Sequence, residues 1–154
     1  MSDLLLLLRR ELELVDGFVS LLREEQDALT AGDGDVLAEV VARKGKAAEQ
    51  LALADRQRAG WSQRHGLPPE LPALAQWLER QGPSPLLDAW RALMQSARAA
   101  KTLNASNGLL ITQRLNNTQE SLNSLLGQQR QATSLYGRNG QTSTLTGSRL
   151  IDSA

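Results

Sequence analysis

Residues 4–29, LLLLLRRELELVDGFVSLLREEQDAL, decide the fold. From Leu5 the apolar positions step by alternating threes and fours through Leu8, Leu12, Val15, Val19 and Leu22, then Gln26 and Leu29. On an α-helix such positions form one stripe, the pattern of a helix packed lengthwise against a partner. Leu4, Phe18 and Leu21 widen that stripe beyond a two-stranded seam and predict more than one neighbour. Arg9, Glu13, Asp16, Arg23, Glu24 and Asp27 fall on the opposite face, and the Glu24–Glu25 pair is read as solvated. The helix is expected to stop near Thr30-Ala31-Gly32.

Working outward, Asp33-Gly34-Asp35 supplies a short turn and N-cap candidates for a second helix. Its seam runs Leu37, Val40, Lys44, Ala47, Leu51, Ala54, Arg58 and Trp61. A connection of a few residues makes the two helices antiparallel. Lys44 and Arg58 are basic at seam positions, and their stems are expected to lie on apolar surface while their heads reach solvent. Gly66-Leu67-Pro68-Pro69 breaks the helix. A short helix then carries Leu74, Trp77 and Leu78 up to Gln81, laying Trp77 against the bundle.

Ser84-Pro85 combines a capping hydroxyl with proline at the first helical position and opens a third long helix. Its seam runs Trp90, Met94, Ala97, Lys101, Asn104, Gly108, Ile111, Leu115, Thr118, Leu122, Leu125, Gln129 and Ala132. At 1.5 Å per residue it would reach about 70 Å, against about 40 Å for each of the first two helices, unless it kinks near Gly108. Between Lys101 and Gln131 the only charges are Lys101, Arg114, Glu120 and Arg130, among many Asn, Gln, Ser and Thr. Such a face is soluble yet easily desolvated by a partner. Asn104 and Asn107 are expected to form a buried polar pair that sets helix register. Gly108 is expected to allow close approach or a kink.

Composition agrees with helices. The 154 residues include 30 Leu and 19 Ala but only 5 Val, 2 Ile and five aromatics, so sheet is improbable. The fold class is all-α: an antiparallel bundle of three long helices plus one short helix, with a flexible C-terminal tail. Residues 1–132 form the bundle domain. Residues 133–154, with three Gly, eight Ser/Thr and three charges, form the tail.

The absences narrow function. Zero Cys removes disulfides, thiolate metal sites and a cysteine nucleophile. Seventeen acidic and seventeen basic residues balance, leaving no global field to hold nucleic acid or an anionic membrane. No apolar run approaches the roughly 20 residues of a spanning helix. Asp3 before the leucines and Arg9-Arg10 after them are unlike a signal peptide. Arg64-His65-Gly66 resembles the phosphoryl-accepting motif of the phosphoglycerate-mutase-like fold, but that motif follows a strand, and here a helix precedes it. A histidine phosphotransfer domain needs its His exposed in mid-helix, whereas His65 sits at a helix end, where an imidazole favours the C-terminus. Gly32-Asp33-Gly34-Asp35 is too short for a calcium loop and lacks the Lys-Ser/Thr of a phosphate loop. No catalytic, metal or cofactor residue is assigned.

Two local signatures remain: Asn104-Ala105-Ser106-Asn107-Gly108-Leu109-Leu110-Ile111 in the third long helix, and Leu135-Tyr136-Gly137-Arg138-Asn139-Gly140-Gln141 in the tail. With the leucine- and glutamate-rich first helix and the seam Lys of the second, the chain resembles the FlgN family from about Leu4 to Thr142. The resemblance implies a cytoplasmic flagellar type III export chaperone, not an enzyme. It would capture the disordered C-terminal region of the hook–filament junction proteins FlgK and FlgL, prevent premature association and deliver them to the export apparatus, including the gate protein FlhA. The family's tail tyrosine, associated with gate docking, matches Tyr136 in the pattern Tyr136-Gly137-x-x-Gly140. The balanced charge departs from the acidic character common among export chaperones.

A cargo helix could be held by Leu115, Leu122, Leu125 and Leu126 if the shorter helices leave them uncovered, using i, i+3, i+4, i+7 anchors. Leu135, Tyr136, Gly137 and Gly140 complete the expected partner-binding set. The free protein is expected to be a monomer or weak homodimer. The competing reading is a coiled-coil adaptor that self-associates through its helix seams.

Overall fold

The computed structural model describes residues 1–135, with side chains through residue 132. Four helices follow in the order α1 (Ser2–Ala31), α2 (Gly34–Arg64), α3 (Leu71–Gln81) and α4 (Ser84–Leu135), and no strand occurs among the described residues. The chain is all-α, with three long helices and one short one.

Each helix boundary has a local cause. Gly32 closes α1 at φ 75°, a left-handed conformation that a β-carbon would strain, and the Gly32 and Asp33 amides both donate to the Ala28 carbonyl. Asp33 then caps α2, its carboxylate accepting from the Val36 amide at 3.0 Å. At the far end of α2 the His65 ring stacks on Trp61, centroids 3.9 Å apart, with Nδ1 2.8 Å from the Trp61 carbonyl oxygen. His65 therefore occupies a helix C-terminus, as expected. Pro72 stands in the first turn of α3. Ser84 proves to be the first residue of α4 and not its cap. The Pro83 carbonyl instead accepts from the Leu86 and Leu87 amides.

Residues Met1–Thr112 form one compact unit, and a second begins at Gln113. Within the first, Glu11 meets Arg58 and Glu25 meets Lys44, so α1 and α2 run antiparallel. Ser96 donates to Asp16 and Gln26 to Ser106, so α4 runs parallel to α1, as an up-down-up bundle requires. The core joins Leu4, Leu8, Val15 and Val19 of α1 to Trp61, to Leu74 and Leu78 of α3, and to Leu86, Trp90 and Leu93 of α4. Burying each of these large apolar side chains contributes about 1.5–3 kcal/mol. Trp77 packs against this core half-buried, while Leu74 and Leu78 provide the fully buried anchors of α3.

The main departure from the sequence expectation is charge inside the bundle. Arg58 does not extend its head to solvent. It is 1% exposed, donates from Nε to Glu11 Oε2 at 2.9 Å, and pairs through Nη2 with Asp55. Glu25 is not solvated either. It is 1% exposed and receives Lys44 Nζ at 2.8 and 2.9 Å on its two oxygens. Desolvating a charge costs several kcal/mol unless a partner offsets it, so a buried cation on one helix requires an acid on its neighbour. Burial holds the Glu11 carboxyl above the usual carboxylate range, and the charge and hydrogen bond of Arg58 offset only part of that.

A second departure concerns α4. Its inward positions are Leu86, Trp90, Leu93, Ala97, Ala100, Leu103 and Asn107, so Lys101, Asn104 and Gly108 face outward. Only Asn107 of the expected asparagine pair is buried. Its Nδ2 donates at 2.8 Å to both the Leu22 carbonyl and Glu25 Oε2. Leu93 and Met94 are both apolar, so a three-four pattern begun at Trp90 can take either phase. Asn107, paired to Glu25, marks the phase adopted. A β-carbon on Gly108 would meet nothing within 4 Å, so no close approach requires this glycine, and the helix is continuous through it.

Candidate functional site

The candidate site is built on the described residues of α4 beyond Thr112. No proline follows Pro85, so nothing interrupts the helical hydrogen bonding up to Leu135. Polar side chains along this stretch bond to their own helix. Thr118 Oγ1 donates to the Arg114 carbonyl at 2.9 Å and Ser121 Oγ to the Asn117 carbonyl at 2.9 Å, while Gln119 Nε2 donates to Asn123 Oδ1 at 3.3 Å. Hydroxyls that bond back to the carbonyl four residues earlier need no water, which lowers the cost of covering them.

Against this background the leucines are open. Leu115 is 65% exposed, Leu122 49%, Leu125 62% and Leu126 53%. At 100° per residue Leu115 and Leu122 share one helical direction, with Leu125 and Leu126 on either side of it, so the four form a single row. A contiguous exposed apolar row of this kind marks an interaction surface more often than an isolated exposed leucine does. Charge on the stretch is limited to Arg114, Glu120 and Arg130, so a partner would displace few strongly hydrated groups.

Of the other expected partner-binding residues, Leu135 is the last residue of α4, with only its backbone described. Of the tail assigned to 133–154, residues 133–135 continue α4, while Tyr136, Gly137, Gly140 and the rest lie outside the described residues. No group of His, Cys, Asp and Glu suited to a metal occurs among the described residues. No described helix is long and apolar enough to cross a membrane.

These features define a class: helical bundles held in register by buried polar contacts, with a leucine row open on a weakly charged helix. The model of the FlgN protein family matches residues 1–144, and the chain belongs to the FlgN family. That family is one of chaperones, generally non-enzymatic, with a role in flagellar export. No curated protein and no solved structure matches the chain.

Proposed function

We propose that the protein is the cytoplasmic export chaperone of the hook–filament junction proteins FlgK and FlgL. The C-terminal region of the cargo lies along Leu115, Leu122, Leu125 and Leu126 as an amphipathic helix, and the loaded chaperone is received by the export apparatus through FlhA. The observation that carries this reading is the exposure of four leucines in one row, with the Thr118 and Ser121 hydroxyls beside them bonded to their own helix. Each leucine covered contributes about 1.5–3 kcal/mol, enough in sum to offset ordering of the cargo segment and leave moderate affinity. Leu135, Tyr136, Gly137 and Gly140 are assigned to the same partner surface, with Tyr136 serving the gate.

The test is calorimetric titration with a peptide from the C-terminal end of FlgK. Leu122→Asp together with Leu125→Asp should weaken binding at least tenfold while leaving the thermal midpoint unchanged, since both side chains are already in water. Unchanged affinity in a folded double variant would sink the reading. Self-association through the same row is separated from it by sedimentation equilibrium of the free chain, where a tight oligomer broken by that double variant would favour the adaptor.

A further inference from the structure

The seam between α1 and α2 has an open side lined by two cavities. One, about 400 Å³, is floored by Leu14, Gly17, Phe18, Leu21 and Ala47. The other, about 590 Å³, is floored by Leu6, Leu7 and Trp61. Both are walled by the same two helices, and Arg10 of one lies a single turn from Glu13 of the other, so they form one groove. From Asp3 to Leu21 it spans about 27 Å of α1, the length of a partner helix of about 18 residues.

Gly17, like Gly45, Gly60, Gly108 and Gly127, is a mid-helix glycine with open space at its β-carbon, and of these it is the one that lines this groove. It lies in the middle of a 30-residue helix, where glycine is weakening relative to alanine, and a β-carbon there would meet nothing within 4 Å. No contact inside this chain requires a glycine at that point, yet it lies in the floor of an apolar groove, where a bare backbone lets another helix approach closely. The rim supplies a second observation. It carries Arg10, Arg43, Lys46 and Arg64 against Asp3 and Glu13, in a chain of zero net charge, with Arg10 paired to Glu13 and Arg43 to Glu24. Lys46 and Arg64 have no acidic partner among the described residues. A second copy presenting this same groove would set these cations against one another.

We propose that the α1–α2 groove is a docking surface, separate from the α4 leucines, for an amphipathic helix of a different protein that has an acidic edge. Its apolar anchors lie over Leu14, Phe18 and Trp61, its backbone passes closest at Gly17, and its carboxylates meet Lys46 and Arg64. The groove is thus suited to a protein other than the cargo.

The probe is a synthetic amphipathic 18-residue peptide, about the groove's length, with leucines at i, i+4, i+7 and i+11 and glutamates along one edge, titrated into the full chain. A lysine-edged peptide of the same apolar pattern is the comparison. The glutamate peptide should bind at least tenfold tighter, with amide shifts centred on Leu14, Gly17, Phe18 and Ala47. Gly17→Leu should weaken it at least tenfold, and Lys46→Glu with Arg64→Glu should reverse the peptide preference. Gly17→Ala serves as the fold control, and Leu122→Asp with Leu125→Asp should leave the titration unchanged. Equal binding of the two peptides, no binding, or shifts centred on the α4 leucines would overturn the proposal. A dimer of the free chain that Gly17→Leu dissolves would also overturn it, in favour of a second copy as occupant.

Discussion

Glu25 and Asn107, 82 residues apart in the chain, share a 2.8 Å hydrogen bond inside the bundle. The same carboxylate receives Lys44, and the same amide nitrogen also bonds the Leu22 carbonyl, so one buried layer ties α1, α2 and α4 together. A slip of one residue along any helix would leave a buried charge or amide without its partner. Such layers therefore select one register among several that apolar packing alone would tolerate.

Asn107→Asp places a second carboxylate against Glu25. Desolvation and like charge raise the affinity of the introduced carboxyl for a proton above that in the unfolded chain. The native state then binds more protons, so stability increases as pH falls. We expect a loss of about 3–5 kcal/mol at pH 7, with substantial recovery toward pH 5, read from urea midpoints. Asn107→Leu should cost about 1–3 kcal/mol with little pH dependence. A stable Asn107→Asp variant at pH 7 would remove the layer from the account of register.

The Glu11–Arg58 layer should behave as a strongly coupled pair. Arg58→Met strands Glu11 and should cost about 3–5 kcal/mol. Glu11→Leu should cost less, because Arg58 keeps Asp55. The double replacement should be more stable than Arg58→Met alone, an order that a double-mutant cycle reads directly. Additive single effects would contradict the pairing.

The raised proton affinity of Glu11 carries a definite sign. Above its folded pKa the carboxylate is ionised in both states, and its desolvation weighs against the fold. As pH falls through the folded pKa toward the ordinary value of 4.5, the native state takes up the proton first and gains stability relative to the unfolded chain. The stability of the wild type should therefore rise relative to Glu11→Gln over that interval. Parallel curves for the two proteins would show that Glu11 titrates as it does in the unfolded chain.

Much of this was legible in the residues. The α1 pattern, the Gly32 stop, the Asp33 cap and the break at Gly66-Leu67-Pro68-Pro69 are local events, and local chemistry decided them. Every assigned seam position of α2 is buried or half-buried, because a helix that alternates three and four places them on one side whatever the partner. Whether the shorter helices cover Leu115, Leu122, Leu125 and Leu126 was left open by the sequence, and the structure leaves all four exposed.

What the sequence by itself determined is helix content, the ends of α1 and α2 and the apolar faces of those two helices, because these depend on residues within a few turns of one another. Only the tertiary structure decided which charges are inside. Glu11 and Glu25 are fourteen residues apart, as are Lys44 and Arg58, and these matching intervals of two heptads were the one available signal. It acquires meaning only when an antiparallel register sets Glu11 opposite Arg58 and Glu25 opposite Lys44. The phase of α4 and the burial of Asn107 but not Asn104 have the same origin. A three-four pattern leaves adjacent apolar residues interchangeable, and the choice between them is made by a hydrogen-bond partner on another helix. The α1–α2 groove is likewise a property of two helices at a fixed distance, and no local pattern in the sequence announces it.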